Sequence, residues 1–293
     1  MSVTAPTPPP PPAPMQPAQP PPPPSSGASG ATIALRIGAV ITGVLIILAA
    51  LNLFSLTAGR SSDDLHRSFA LTGQTLTIHS DSADVTLLPS TTGGIEIDRR
   101  ARVPHGQHMG EPTLSGDLLT LPADCHSGAF GWLWFCSVHY DVRVPAGLQL
   151  DVRAGSGDVG ANAIQAASLN LHTGSGDIDV ESADVPALTG DTGSGDVNGT
   201  GLVSTSTVLK TGSGDVDLTF RRAPTTVQAR TGSGDMNIRV PRDTSLYYVL
   251  ARTGSGDLHN RIRSIGQAPA GSGTSRFIDA QTGSGDMTIE YAD

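Results

Sequence analysis

The chain is poor in cysteine and lysine, and its first 35 residues carry no charged side chain. Of 293 residues only Cys125 and Cys136 are cysteines, and Lys210 is the only lysine. Two cysteines cannot complete a four-ligand zinc site, and their spacing is not C-x-x-C. Residues 60–293 contain all 27 acidic residues but 17 basic ones, a formal charge of −10, and show no basic stripe. We therefore predict no nucleic-acid partner.

The N-terminal segment is dominated by proline. Thirteen of the 22 prolines lie between Pro6 and Pro24, and no charged residue precedes Arg36. Such a segment has too little apolar surface to offset its ordering entropy, which predicts a disordered cytoplasmic tail over residues 1–30. Its P-x-x-P spacings would suit an aromatic groove on a partner, but any run this rich in proline produces them by chance.

A long uncharged stretch follows the tail. The 23 residues 37–59 (IGAVITGVLIILAALNLFSLTAG) contain no charge and lie between Arg36 and Arg60. About 20 apolar residues cross a bilayer core, so residues 31–59 are predicted to form a transmembrane helix, with 37–59 in contact with lipid. A cleaved signal peptide would have a short basic leader and a clear cleavage site. A buried helix of a soluble protein is rarely apolar on every face.

The two cysteines also bear on location. They are separated by ten residues in a loop-like stretch, which suits a Cys125–Cys136 disulfide in an oxidising compartment. The charges beside the apolar segment are nearly symmetric and give little orientation signal. We therefore predict a single-pass protein with a cytoplasmic N-terminus and residues 60–293 outside the cytoplasm.

One short motif recurs along the C-terminal half. TGSGDV occurs at Thr192–Val197 and Thr211–Val216, and close variants recur between Ala154 and Met287. The gaps between the motif aspartates are 19, 19, 19, 20, 22 and 29 residues, and a period near 20 is typical of stacked repeats. The longer final gaps are interpreted as loop insertions. The aspartates are Asp158, Asp177, Asp196, Asp215, Asp235, Asp257 and Asp286.

Apolar and polar residues alternate on both sides of each motif, which predicts strand, tight turn and strand. Stacked units would bury a thin continuous core. We predict an all-β domain over residues 60–293, a β-solenoid of coils of about 20 residues. Its coils are expected to be irregular over 68–147 and regular over 148–291. Asp84 and Asp117 lie in two eroded copies of the motif.

The tandem TGSGDV units, the preceding CSVHYDVRVPAGLQLDVRAGSGDV (Cys136–Val159) and the single apolar segment resemble a bacterial family of β-strand-repeat proteins. Members of that family usually carry the label "putative adhesin". The resemblance covers residues 68–291. It implies a right-handed β-helix on a bacterial cell membrane and brings no catalytic residues.

The row of aspartates has two interpretations. Carboxylates in register would lie about 5 Å apart and repel one another, so they must be exposed, bonded to corner N–H groups or bridged by cations. Structural corners are the favoured interpretation. Calcium bound by the seven motif aspartates is the minor one, because the period is about twice that of the calcium-binding nonapeptide and the G-G pair is missing.

Catalytic interpretations are weaker. Pairs of aspartates one or two coils apart could serve a glycosidase, but catalysis needs carboxylates in unequal environments. Asp191 begins a DTGS sequence like that of aspartic proteases, yet other residues replace it in the sister repeats. GSGDVG at Gly155–Gly160 would need a following helix to bind a dinucleotide. His105 and His108 lack a third metal ligand. We predict no enzyme activity and no cofactor.

The segment between the cysteines breaks the repeat with a concentration of aromatic residues. It is either a plug over the N-terminal end of the core or a candidate contact with a partner or the bilayer. The candidate contact residues are Phe130, Trp132, Leu133, Trp134 and Phe135.

These observations favour a membrane-anchored surface scaffold, adhesin or binding module whose ligand is a surface protein or a glycan. The alternatives are a carbohydrate-active β-helix enzyme and a membrane sensor or regulatory accessory protein. The sensor would need a folded partner for the proline-rich tail.

Overall fold

The computed structural model describes residues 60–104, 109–123, 136–243, 246–265 and 276–292, together with the single residue Ile47. The chain divides into two units, residues 1–57 and 58–293. In the second unit the described residues form β-strands and connecting turns.

The described residues contain 23 strands, many of them in the places where apolar residues alternate with polar ones. The first twelve strands are β1 Arg60–Ser62, β2 Leu65–Phe69, β3 Thr75–Ser80, β4 Asp84–Pro89, β5 Ile95–Pro104, β6 Thr113–Ser115, β7 Leu118–Leu121, β8 Ser137–Val144, β9 Gln149–Ser156, β10 Val159–Asn162, β11 Ser168–Ser175 and β12 Ile178–Glu181. The others are β13 Ala187–Ser194, β14 Val197–Leu202, β15 Ser206–Ser213, β16 Val216–Phe220, β17 Thr226–Thr231, β18 Met236–Val240, β19 Tyr247–Ser255, β20 Leu258–Asn260, β21 Ser264–Ile265, β22 Arg276–Ser284 and β23 Met287–Tyr291.

The strands form two long sheets. Sheet A has 12 strands in the order β1-β5-β8-β4-β10-β12-β14-β16-β18-β23-β20, with β2 paired to β5. Sheet B has 11 strands in the order β21-β19-β22-β17-β15-β13-β11-β9-β3-β7-β6. From β9 to β18 each repeat adds one strand to sheet B and then one to sheet A, parallel to its predecessor. The predicted all-β class and the parallel stacking of the repeats are confirmed.

The strict register keeps equivalent repeat positions side by side, which builds the core. Leu169 lies opposite both Leu150 and Leu188 in sheet B, and Ile178 lies opposite Val197 in sheet A. All of these side chains are buried and belong to one hydrophobic cluster. Because side chains alternate across a strand, the residues between them face outward. Each sheet therefore presents a second, exposed face.

The C-terminal coils do not stack in chain order. Strands β22 and β23 are last in sequence, but β22 pairs with both β17 and β19, and β23 pairs with both β18 and β20. The final coil is thus inserted between two earlier ones. The longest motif gap, between Asp257 and Asp286, is interpreted from sequence as a loop insertion. The structure shows that it also reverses the order of the coils, because the strand after it returns to an interior place in the stack.

A similar insertion occurs at the other end. Strands β3 and β4 pair with β9 and β10, so Asp84 does occupy a repeat position, as the sequence predicts. Asp117 does not, and that prediction is wrong. It lies after Gly116 in the tight turn between β6 and β7, which form an antiparallel hairpin. The positive φ of Gly116, 64°, suits this turn.

Antiparallel strands and a buried ion pair lie at this N-terminal end of the stack. Strand β5 pairs antiparallel with β1, β2 and β8. Arg99 on β5, only 3% exposed, lies 3.2 Å from a carboxylate oxygen of Asp63 and donates to the carbonyl of Gly110. The hydroxyl of Tyr140 donates to the carbonyl of Pro122 at 2.6 Å, and burial raises the pKa of this tyrosine. These bonds satisfy polar groups that would otherwise be costly to bury.

The predicted tail, residues 1–30, lies outside the described residues. The predicted membrane segment does as well, apart from Ile47, whose backbone is helical. Within the part of the chain that the structure describes, no helix has the length and hydropathy needed to cross a membrane. The tail and the membrane segment stay predictions.

Candidate functional site

The corner between sheets B and A explains the two glycines of TGSGD. A Cβ atom on Gly193 would lie 2.5 Å from the carbonyl oxygen of Gly174 in the preceding coil. A Cβ atom on Gly195 would lie 2.1 Å from the carbonyl oxygen of Gly176, and its φ of +153° is itself unfavourable for other residues. The same close approach recurs along the stack. The glycines are therefore required by the spacing of neighbouring backbones.

The motif aspartates form a continuous chain of hydrogen bonds along this corner. The backbone N–H of Asp196 donates to Oδ1 of Asp177 at 2.8 Å, and Oδ1 of Asp196 accepts the N–H of Asp215 at 2.8 Å. In spatial order the ladder contains Asp84, Asp158, Asp177, Asp196, Asp215, Asp235, Asp286 and Asp257. The expectation that the carboxylates bond corner N–H groups is confirmed. Their primary role is structural.

The geometry of the aspartate ladder does not support the calcium hypothesis. Along the ladder, one carboxylate oxygen of each aspartate except the terminal Asp257 already accepts a neighbouring N–H. Among the described residues no three or more histidine, cysteine or acidic side chains are grouped so as to hold a metal ion. Calcium binding stays a hypothesis for experiment.

The motif threonines secure the corner from the inside. Thr192 is 2% exposed, and its hydroxyl donates to the carbonyl of Gly176 at 2.8 Å. Thr173, Thr211, Thr231, Thr253 and Thr282 make the equivalent bond. Four of the five letters of TGSGD thus have structural reasons, and function must be sought on other surfaces.

The residue before the motif threonine faces outward on sheet B, and the register aligns these residues across eight strands. Most of them are basic. In spatial order this row, called here the basic row, contains His79, Arg153, His172, Asp191, Lys210, Arg230, Gln281 and Arg252. The row combines four arginine or lysine residues with two histidines, one aspartate and one glutamine, and the linear sequence does not show it as a basic stripe. The bases lie about one repeat apart in sequence and become neighbours only through stacking.

The basic row borders an open groove of about 760 Å³ at its N-terminal half. Arg153 pairs with Asp151 at 2.9 Å, and His172 lies 3.4 Å from Asp191. The hydrogen bond from Arg153 to Asp151 raises the pKa of the guanidinium further above its usual value. Asn170 and Thr189 also line the groove. The groove therefore offers cations, carboxylates, an amide and a hydroxyl along one strand face.

The outer face of sheet A has a different chemistry. The row two residues after the motif aspartates contains Asp179, Asn198, Asp217 and Asn237 side by side. Amide groups of the asparagines donate to the neighbouring carboxylates, as from Asn198 to Asp179 at 3.0 Å. This row is acidic and internally paired, in contrast to the basic row on sheet B.

A comparison with protein families identifies the family to which this repeat architecture belongs. The family described as Toastrack DUF4097 matches residues 73–292, from just before β3 to the end of β23. The chain belongs to the Toastrack DUF4097 family. The matched region contains the stacked coils and leaves out the predicted tail and membrane segment. No curated protein matches the chain.

Three solved structures can be set beside this Toastrack chain. A "putative cell adhesion protein" from Clostridium sporogenes is 10% identical over 79% of this chain and 100% of its own, with a TM-score of 0.33. A "putative adhesin" from Bacteroides fragilis is 11% identical over 79% and 98%, with a TM-score of 0.43. A "putative adhesin" from Parabacteroides distasonis is 11% identical over 80% and 98%, with a TM-score of 0.37.

The aromatic segment predicted to contact a partner cannot be placed on the Toastrack stack. Phe130, Trp132, Leu133, Trp134 and Phe135 lie outside the described residues, as do His105 and His108. Cys136 is described, half-buried before β8, and is not a free thiol. Its predicted partner Cys125 lies outside the described residues, so the pairing stays a prediction.

Proposed function

We propose that this Toastrack protein is a surface binding module or scaffold that acts through the outer face of sheet B. The observation that carries the proposal is the basic row. Eight outward residues from eight strands are held in one register, beside an open groove. A rigid sheet positions such side chains more accurately than a loop does.

The corner ladder supports a binding role over catalysis. Acid–base catalysis needs two carboxylates whose environments push their pKa values apart. The repeat instead gives Asp177, Asp196 and Asp215 equivalent donors, because each accepts the backbone N–H of the motif aspartate in the next coil. We therefore propose a protein that holds a ligand and does not transform it.

The proposed location is the outer side of a bacterial membrane, with residues 37–59 as the anchor and a right-handed solenoid outside the cytoplasm. The uncharged 23-residue segment and the Cys125–Cys136 spacing support this arrangement. In that setting a surface glycan or surface protein is the natural ligand class.

Binding of the full-length chain, kept in mild detergent, to glycan arrays and to extracted cell-surface proteins tests the proposal. The measurement is made with and without calcium. We expect saturable binding that does not depend on calcium, because the ladder carboxylates are already bonded. No saturable binding under either condition would overturn the proposal.

A further inference from the structure

We propose that the outer face of sheet B binds a linear acidic polysaccharide along the basic row. The inference rests on the proposed binding function and names the ligand class of that site. Four properties of the face support it: the linear order of its cations, the lack of a close counter-ion at some of them among the described residues, the hydrogen-bonding groups beside them and an aromatic pair at one end.

The cations are arranged in a line. Neighbouring strands lie about 4.8 Å apart, and the row takes one residue from each of eight adjacent strands. A pyranose ring in an extended glycan advances by a similar distance. Carboxylates along such a chain can therefore reach the basic side chains of the row, which are interrupted at Asp191 and Gln281.

Some cations of the row have no acidic group within 4 Å in the described parts of the chain, although Asp191 lies opposite Lys210 in the register. Lys210 and Arg230 are exposed neighbours in the pairing register, and like charges directly opposite each other destabilise a sheet. Arg230 lies 3.4 Å from Asp279, but no acidic group lies within 4 Å of the Lys210 or Arg252 cation among the described residues. A bound anion would relieve the repulsion and supply charge-assisted hydrogen bonds.

A second outward row supplies neutral hydrogen-bonding groups for sugar hydroxyls. It lies two residues before the basic row and includes the neutral Asn170, Thr189 and Gln228, together with Asp151 and Asp279, which lie beside Arg153 and Arg230. Carboxylates within and beside the row, together with the charge of −10 on residues 60–293, disfavour a densely charged polymer such as duplex DNA. A polymer with fewer charges and many hydroxyl groups is complementary to both rows.

An aromatic pair completes the face at its C-terminal end. Tyr248 and Phe277 face outward four residues before Arg252 and Gln281, and their rings stack with centroids 5.7 Å apart. The negative face of an aromatic ring attracts the positively polarised C–H groups of a sugar ring. Both side chains are half-buried, which leaves part of each ring accessible.

The test uses two polymers and two double variants of the full-length chain. The probes are polygalacturonate and its methyl ester, which share a backbone and differ in charge. The Lys210→Gln/Arg230→Gln variant removes two charges from the row. The Arg221→Gln/Arg222→Gln control removes two charges from the exposed turn between β16 and β17. Isothermal calorimetry at low and high salt gives the affinities, and thermal melts check that each variant is folded.

We expect polygalacturonate to bind and its methyl ester to bind at least about tenfold more weakly, with affinity falling as salt screens the charges. The row variant should lose about tenfold or more in affinity, since each charge-assisted bond contributes about that much. The control should stay within about twofold, because the two charges it removes lie off the row. If the row variant fails to fold, the inference is still tested on the unaltered chain, by comparing the two polymers and by the salt dependence of binding.

Three results would overturn the inference. They are equal binding of the ester, an undiminished affinity of a folded row variant, and tighter binding of duplex DNA than of polygalacturonate. If polygalacturonate does not bind but another glycan or a surface protein does, the inference is overturned and the proposed binding function is retained. Failure of every ligand in both experiments would overturn both.

Discussion

Oδ1 of Asp286 accepts the backbone N–H of Asp257 at 2.8 Å, although Asp286 lies 29 residues later in the chain. The N–H of Asp286 donates in turn to Asp235, again at 2.8 Å. The last coil in sequence is therefore an interior coil in space. Position near the C-terminus and position at the end of the stack are different properties in this protein.

This arrangement predicts an unusual pattern of stability near the C-terminus. Ile289, four residues before the last one, is fully buried, whereas Leu258 in the preceding motif copy is 43% exposed. Ile289→Ala should lower the free energy of unfolding by about 2–5 kcal/mol, as for other core truncations. Leu258→Ala should cost less than about 1 kcal/mol, because little area returns to water. Urea denaturation of the two variants measures both values, and a larger cost at Leu258 would contradict the topology.

The substitution of threonine by valine should have opposite effects on stability at two positions of strand β15. Thr207 and Thr211 are both buried. Within the part of the chain that the structure describes, the hydroxyl of Thr207 has no hydrogen-bond partner, whereas that of Thr211 donates to the carbonyl of Gly195 at 2.8 Å. Thr207→Val should stabilise the protein by about 1 kcal/mol, since an unpaired buried hydroxyl is costly. Thr211→Val should destabilise it by a similar amount. Thermal or urea melts of the two variants give the signs, and equal signs would refute the assignment.

The fold was predictable from sequence to the extent that the motif is regular. The nearly constant spacing of Asp158, Asp177, Asp196 and Asp215 predicts parallel stacking, and the structure confirms it. The insertion of Asp286 beside Asp257 was not predictable, because both copies have the same local letters. Only packing over the whole stack selects which coil lies inside.

The candidate site was less predictable than the fold. Arg153 and His172 lie 19 residues apart and Lys210 lies 38 residues further on, so no window of the sequence shows a basic cluster. Writing the repeats beneath one another reveals the column, and the register of sheet B shows that it is one row on one face. The signal was present in the alignment of the repeats but required a three-dimensional interpretation. Asp191, which resembles a protease residue in sequence, belongs to the same row.

The ladder predicts that a motif aspartate contributes mainly as a hydrogen-bond acceptor. Asp196→Ala leaves the N–H of Asp215 without its acceptor and should cost about 1–2 kcal/mol of unfolding free energy. Asp196→Asn keeps a side-chain oxygen at that place and removes a charge that repels the neighbouring carboxylates. It should therefore retain most of the stability. Urea melts distinguish the two. If Asp196→Asn lowers the stability as much as Asp196→Ala does, the negative charge itself is needed, and that result would support the calcium hypothesis.

The alkaline stability of the protein should depend on Tyr247. This residue is fully buried, its hydroxyl has no hydrogen-bond partner among the described residues, and burial raises its pKa from 10.0 to about 12. A raised pKa means that the folded state holds the proton more tightly than the unfolded state. The associated stability is therefore complete below pH 10 and is lost as the pH rises towards about 12. A shift of this size corresponds to about 2–3 kcal/mol.

Tyr247→Phe tests this dependence directly. The variant should be at least as stable as the parent at neutral pH, because it removes an unpaired buried hydroxyl. It should also lose less stability between neutral pH and pH 11, as measured by urea denaturation across that range. Tyr248→Phe is the matched control, since it removes the hydroxyl of the adjacent half-buried tyrosine and should leave the alkaline decline unchanged. An identical decline in the parent and in Tyr247→Phe would show that other groups govern alkaline unfolding.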